Sequence, residues 1–124
     1  MRLLLDTHLL LWALSSPEKL SKQTRQRIES SEVFASAASI WEISIKSALG
    51  KLEADPNEIL VGVEPAGFNH LPILGEHAAK VKELPPIHKD PFDRLLVAQA
   101  RFEPMILLTD DAVLGGYGEF VEVV

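Results

Sequence analysis

The sequence predicts an α/β fold in which a mainly parallel central sheet is flanked by helices. Short apolar segments alternate along the chain with longer segments whose apolar residues have helical spacing, as in sheets built from strand–helix–strand units. The chain has 124 residues, of which 47% are apolar. This composition fits a single domain over residues 1–124 with its own core, and it excludes a wholly disordered protein.

Five short apolar segments are predicted to be strands: residues 3–5, 33–35, 68–73, 105–108 and 120–123. The third contains Pro72, which has no N–H group to donate, so this strand is expected to lie at an edge of the sheet or to end there. A loop is expected before the last strand, over residues 115–118. Helices are predicted after Asp6-Thr7 and over residues 17–30, 37–49, 75–84 and 91–102, with a short helical turn from residue 55.

Acidic residues follow two of the predicted buried strands. Asp6 ends the first strand, and Asp110 and Asp111 follow the fourth. Ligands of open α/β sheets bind beyond the carboxyl ends of the strands, so these acids are candidates for a functional site. Each also has a simpler interpretation, because an acid after a strand commonly caps the next helix. At the first strand end, Thr7 would serve equally well as the cap.

Glu42 lies at the margin of the apolar face of the predicted helix 37–49. As a functional residue it should face the carboxyl end of the sheet. Two local interpretations compete: a capping box with Ser39, and an ion pair with Lys46 one turn later. Both local interpretations predict an exposed Glu42.

Asp93 lies in the first turn of a predicted helix whose N-cap is Asp90. An acid there offsets the helix dipole, which is a purely structural role. The helix is nearly apolar on several sides, however, and is therefore expected to be largely buried. A buried carboxylate without a partner is unfavourable, so Asp93 should require a cation or hydrogen-bond donors.

Together these four acidic positions suggest one oxygen-rich cluster. Oxygen ligands suit Mg²⁺, or Mn²⁺, and four carboxylates are enough for one or two ions in a site that cleaves phosphodiesters. The formal net charge of −6 argues against binding nucleic acid by neutralising its phosphates with protein charge alone. Metal ions would carry that contact instead.

Other candidate features are weaker. The four histidines, His8, His70, His77 and His88, have no close pair with metal-ligand spacing and are assigned to the surface or the core. The basic segment from Lys19 to Arg27 is interpreted as a solvated face, with docking of an RNA backbone as the alternative. The absence of cysteine excludes disulfides, thiolate zinc sites and a cysteine nucleophile, and it fits the cytoplasmic location that we expect.

Four blocks of the sequence resemble the PIN domain, and more closely the VapC-like toxins of bacterial toxin–antitoxin pairs. They occur in the order of that family and span nearly the whole chain. The blocks are LLLDTHLLLWAL, SIWEISIKSALGKL, HKDPFDRLLVAQA and LLTDDAVLGGYG.

The resemblance implies an Mg²⁺-dependent endoribonuclease that is inhibited by an antitoxin protein and is usually dimeric. It places the first three metal-binding, catalytic acids on Asp6, Glu42 and Asp93. The fourth is Asp111 by the family pattern, with Asp110 as the alternative. It also implies that Thr109 lies near the site, where we expect it to bind substrate. Hydrolysis would then use a metal-activated water.

Two other functions remain open at this point. The chain is alternatively a catalytically silent PIN-fold module that acts through a protein partner, or a structure-specific DNA nuclease. The apolar stretch from Leu9 to Leu14 predicts that part of it, or of the following helix, lies in a homodimer or antitoxin interface. Asp6 and His8 interrupt the apolar N-terminal run, so neither a signal peptide nor a membrane span is expected.

Overall fold

A five-stranded parallel sheet forms the centre of the computed structural model, which describes residues 1–124. Every neighbouring pair of strands is parallel, so the sheet is wholly rather than mainly parallel. The strand order is β3-β2-β1-β4-β5. The strands are Arg2–Leu5 (β1), Glu32–Ser36 (β2), Asn69–Leu71 (β3), Ile106–Thr109 (β4) and Val121–Val123 (β5).

Six α-helices and three short 3₁₀ turns connect the strands. No helix is both long and apolar enough to span a membrane. The α-helices are Thr7–Ser15 (α1), Lys22–Glu29 (α2), Ala37–Ala48 (α3), Pro56–Gly62 (α4), Gly75–Lys80 (α5) and Pro91–Phe102 (α6). The 3₁₀ turns are Pro17–Lys19, Val81–Glu83 and Ala112–Tyr117.

The sheet is covered on both faces, and the sequence of β1 shows why. Leu3 and Leu5 belong to one core cluster, together with residues of α1, α3 and α4. Leu4 belongs to a second cluster, which contains the buried residues of α6. Successive side chains of a strand point to opposite faces, so a continuous run of leucines is what a doubly covered strand requires.

Three predicted elements differ from the structure. The predicted helix 17–30 is divided, because Leu20 is extended and the Ser21 hydroxyl caps a new helix by accepting the Thr24 N–H. The predicted helix 75–84 is α-helical only to Lys80 and tightens into a 3₁₀ turn. The predicted loop 115–118 lies largely within a 3₁₀ turn.

The prediction about Pro72 is confirmed, and a glycine ends another element. The third strand ends at Leu71, directly before Pro72, and it lies at one edge of the sheet. Gly50 follows Leu49, the C-cap of α3, and has a positive φ of 71°, a conformation that glycine adopts without steric penalty.

The direction in which strands are added reverses between β1 and β4, in the middle of the sheet. This reversal is a topological switch point. From β1 the chain adds β2 and β3 on one side, and it later returns to add β4 and β5 on the other. Clefts in open α/β sheets lie at the carboxyl ends of the strands that flank such a point. Asp6 follows β1, and Asp110 and Asp111 follow β4, so these acids meet there.

Candidate metal centre at the carboxyl edge of the sheet

Asp6 is both a helix cap and a buried acid at the end of β1. Its Oδ1 accepts the Leu9 N–H at 2.9 Å, so Asp6, and not Thr7, caps α1. Its Oδ2 accepts a hydrogen bond from the hydroxyl of Thr109. Asp6 is only 4% exposed, and this burial raises its pKa, while the hydrogen bonds from Thr109 and Leu9 oppose the rise.

Thr109 has a different role from the expected one. It is fully buried, and its hydroxyl donates to Asp6 and accepts the Asp111 N–H at 3.0 Å. The side chain therefore has no free surface for a substrate. We assign it to the orientation of Asp6 and of the chain after β4.

Glu42 is buried at 5% exposure, so the exposed position that both local interpretations predict is wrong. The capping box is absent because α3 begins one turn earlier than Ser39 would require, with Ser36 as its N-cap. The ion pair with Lys46 is present, at 2.5 Å from Oε2 to Nζ, but it does not bring Glu42 to the surface. The other oxygen, Oε1, accepts the Thr7 hydroxyl at 2.6 Å.

Asp93 has the most strongly perturbed carboxyl group of the site. Asp90 caps α6 as predicted, accepting the N–H groups of Phe92 and Asp93. The pKa of Asp93 is raised to about 7, first by burial and then by the negative charges of Asp90, Glu42 and Asp6, while His88 opposes the rise. The structure thus brings the carboxylates of α6, α3 and β1 into one electrostatic neighbourhood.

The two acids after β4 lie at different sides of this cluster. Asp111 caps the following 3₁₀ turn through Oδ1, and its Oδ2 lies 3.1 Å from Nε2 of His88. Asp110 is exposed, and its charge contributes to the raised pKa of Asp6. Asp111 is therefore linked through His88 to Asp93, whereas the charge of Asp110 acts on Asp6.

His88 is a residue of this site that the sequence interpretation assigned to the surface or the core. Its Nε2 lies 3.6 Å from Oδ2 of Asp93 as well as close to Asp111. Its position two residues before the helix cap Asp90 places it near α6, but nothing local in the sequence indicates its contact with Asp111. Of the other histidines, His77 has the expected core role, fully buried with its Nε2 2.5 Å from Glu103, and His70 is exposed.

The donor set fits a hard divalent cation. The acids present oxygen ligands, and Lys46 pairs directly with one of them, Glu42. Its own pKa is raised, first by its hydrogen bond to Glu42. Clustered carboxylates that are partly buried repel one another, and this repulsion is relieved by a bound cation.

One family model and solved structures of two toxin–antitoxin complexes match this chain. The PIN domain family model matches residues 3–118. VapBC2 from Rickettsia felis, bound to a DNA fragment from its promoter, is similar with 13% identity and a TM-score of 0.67, over 100% of this chain and 98% of that chain. DNA-bound VapBC from Salmonella typhimurium has 15% identity and a TM-score of 0.67, over 100% and 97%.

No curated protein matches the sequence. At these identities the two solved structures establish a likeness of fold alone, a likeness that extends over the whole chain. The family model independently spans nearly all of it. This protein therefore belongs to the PIN domain family.

Proposed function

We propose that this protein is a metal-dependent endoribonuclease and the toxin component of a toxin–antitoxin pair. The observation that carries the proposal is the convergence of Asp6, Glu42 and Asp93, which come from three separate elements and interact electrostatically at the carboxyl edge of the sheet. The fourth acid comes from the segment after β4. Helix caps and surface pairs would not require three of these charges to share one neighbourhood.

Asp6, Glu42, Asp93 and Asp111 would hold one or two Mg²⁺ ions, with Mn²⁺ as a substitute and Asp110 as the alternative fourth ligand. Bound metal supplies a water of lowered pKa and polarises the phosphate. The protein itself orients two of the carboxylates, because Thr109 donates to Asp6 and Thr7 donates to Glu42. Such outer hydrogen bonds fix the direction of metal ligands.

RNA as the substrate is supported by the four sequence blocks that resemble VapC-like toxins, and the net charge of −6 is consistent with phosphate contact through metal. A catalytically silent module is disfavoured because all four acidic positions are filled. A DNA nuclease would require the same metal-binding acids, so only an experiment distinguishes RNA cleavage from DNA cleavage.

An antitoxin partner and a homodimer are part of the proposal. Leu9, Leu10 and Leu11 are buried inside this chain, whereas Trp12 and Leu14 are partly exposed, so an interface on α1 would use its C-terminal half. Exposed apolar residues elsewhere include Trp41 on α3, Leu49 directly after α3, and Leu60 and Val61 on α4. We also propose that residues 1–124 act as one nuclease domain in the cytoplasm.

The direct test is incubation of the purified protein with structured RNAs and with DNAs of the same sequence, in Mg²⁺ and in EDTA. We expect RNA cleavage in Mg²⁺ only, and none by Asp93→Asn at equal concentration. Cleavage that persists in EDTA or in the variant would contradict the proposal. Cleavage of DNA alone would establish the alternative nuclease.

A further inference from the structure

The imidazole of His88 lies between two of the candidate carboxylates. Its Nε2 is 3.1 Å from Oδ2 of Asp111 and 3.6 Å from Oδ2 of Asp93. One ligand atom from each of the three residues lies within 4.8 Å of the others. These distances alone are compatible with two roles: a third metal ligand beside the two acids, or a hydrogen-bond donor that holds them.

The second ring nitrogen distinguishes these roles. Nδ1 of His88 accepts the backbone N–H of Asp90 at 3.0 Å. A backbone amide nitrogen is a donor only, so Nδ1 must present its lone pair and carries no proton. In a neutral imidazole the single proton is then on Nε2, and Nε2 has no lone pair left for a metal ion.

We propose that His88 is a positioning residue that donates its Nε2–H to Asp111, with Asp93 close by, and so makes Asp111 the fourth acid of the site. This inference rests on the proposed function, because it assigns the acids their metal. Both oxygens of Asp111 are engaged, Oδ1 by the Val113 N–H and Oδ2 by His88. Asp110, in contrast, is exposed and accepts no hydrogen bond from the protein through its side chain.

The backbone around His88 is fixed from two directions. Its N–H donates to the hydroxyl of Tyr117 at 2.9 Å, and its carbonyl accepts from Arg94 at 3.4 Å. The neighbouring Asp90 caps α6, the helix that carries Asp93. The short segment from His88 to Asp93 therefore positions both the imidazole ring and the carboxylate of Asp93.

The tautomer is measured first, in metal-free protein with ¹⁵N-labelled histidine, by long-range ¹H–¹⁵N NMR. We expect His88 to be the Nε2–H tautomer, and the Nδ1–H tautomer would overturn the inference. This result does not depend on metal binding or on RNA cleavage, so it separates failure of the His88 assignment from failure of the proposed function.

The second measurement is Mn²⁺ binding, by titration and by pulsed EPR. We expect no imidazole ¹⁴N coupling to bound Mn²⁺, and a loss of affinity of about tenfold to a hundredfold in His88→Leu. His88→Gln, which keeps an N–H donor on a side chain of similar reach, should recover most of the affinity. His70→Leu is the matched control at an exposed histidine and should bind as wild type does.

The double variant with Asp111→Asn and His88→Leu should lose less Mn²⁺ affinity than the product of the two single-variant losses. Both substitutions remove the same interaction. Asp110→Asn should have a smaller effect than Asp111→Asn. Imidazole coupling in wild type that disappears in His88→Leu would make His88 a ligand and overturn the inference, as would unchanged affinity in His88→Leu. If wild type binds no Mn²⁺, the metal centre and both proposals are overturned together.

Discussion

The hydroxyl of Thr109, at the end of β4, donates a hydrogen bond to Oδ2 of Asp6, the residue that follows β1. The two residues are 103 positions apart in the chain, but their strands are neighbours. The backbone N–H of Asp6 donates to the carbonyl of Leu108 at 3.0 Å and extends the same ladder. The sheet thus delivers a buried acid together with a donor that favours its charged form.

Replacement of Thr109 by Val should weaken metal binding, because it removes the donor at nearly constant volume. We expect Mg²⁺ affinity to fall by about tenfold or more, and stability to fall by about 1–3 kcal/mol. Calorimetric titration and melting curves measure the two effects. Thr24→Val, at a buried threonine of α2, is the control and should change stability without changing Mg²⁺ affinity.

Substitutions of the acids should separate catalytic carboxylates from the helix cap. Asp6→Asn, Glu42→Gln and Asp93→Asn each remove one charge at constant volume and should reduce RNA cleavage by about two orders of magnitude or more. Asp90→Asn should matter much less, since asparagine caps a helix about as well as aspartate. Full cleavage by Asp93→Asn, in an assay that detects the wild type, would refute its assignment.

The raised pKa of Asp93 makes the metal-free protein sensitive to pH. Its folded-state pKa of about 7 exceeds the unfolded value of about 3.9, so between these values the folded state binds more protons than the unfolded chain. The contribution of Asp93 to stability is therefore most favourable below about pH 4 and is lost as the pH rises through about 7.

Asp93→Asn should remove this dependence. In EDTA we expect the variant to melt above wild type near pH 8, with a difference that shrinks as the pH is lowered toward about 4. Melting curves across this range provide the measurement. A variant that is less stable than wild type at the upper end would show that the charge of Asp93 is stabilised, and not penalised, in the folded protein.

Arg94 and Tyr117 should act together in holding the segment that carries His88. Nη1 of Arg94 donates to the Tyr117 hydroxyl at 3.1 Å and to the Pro85 carbonyl at 3.0 Å, and Nη2 donates to the Val81 carbonyl at 3.1 Å. Tyr117→Phe leaves the His88 N–H without its acceptor and removes one acceptor of Arg94 Nη1, and it should cost about 1–3 kcal/mol.

A double-mutant cycle with Arg94→Met measures the coupling between Arg94 and Tyr117. We expect the two losses of stability to be less than additive, because both substitutions remove the same hydrogen bond. Strictly additive losses would mean that the two side chains hold the segment independently.

Features set by a few adjacent residues were predictable from the sequence. Short apolar runs predict the end of β1 directly before Asp6 and the end of β4 near Thr109. The start of α6 follows from Asp90-Pro91. The predicted start of α3 at residue 37 agrees with Ser36 as its N-cap, and the competing capping box at Ser39 is not formed.

Contacts between distant segments were beyond local patterns. His88 and Asp111 are 23 positions apart, and His88 lies in a segment without regular structure. Sequence spacing therefore gave no sign that the two side chains are in contact. The leucines of α1 suggested a partner because the sequence does not reveal how many sides of a helix are covered. In the structure, Leu9 and Leu10 are buried within the chain itself.

The most direct test of the metal centre is a set of melting curves of wild type and Asp6→Asn, recorded with Mg²⁺ and with EDTA near pH 7. Burial raises the pKa of Asp6, and asparagine keeps the cap of α1, so the metal-free variant should melt no lower than wild type. Mg²⁺ at about a hundredfold over its dissociation constant should stabilise wild type by about 2.7 kcal/mol, and the variant by less. If Mg²⁺ leaves the wild-type melting temperature unchanged, these carboxylates do not form a metal centre.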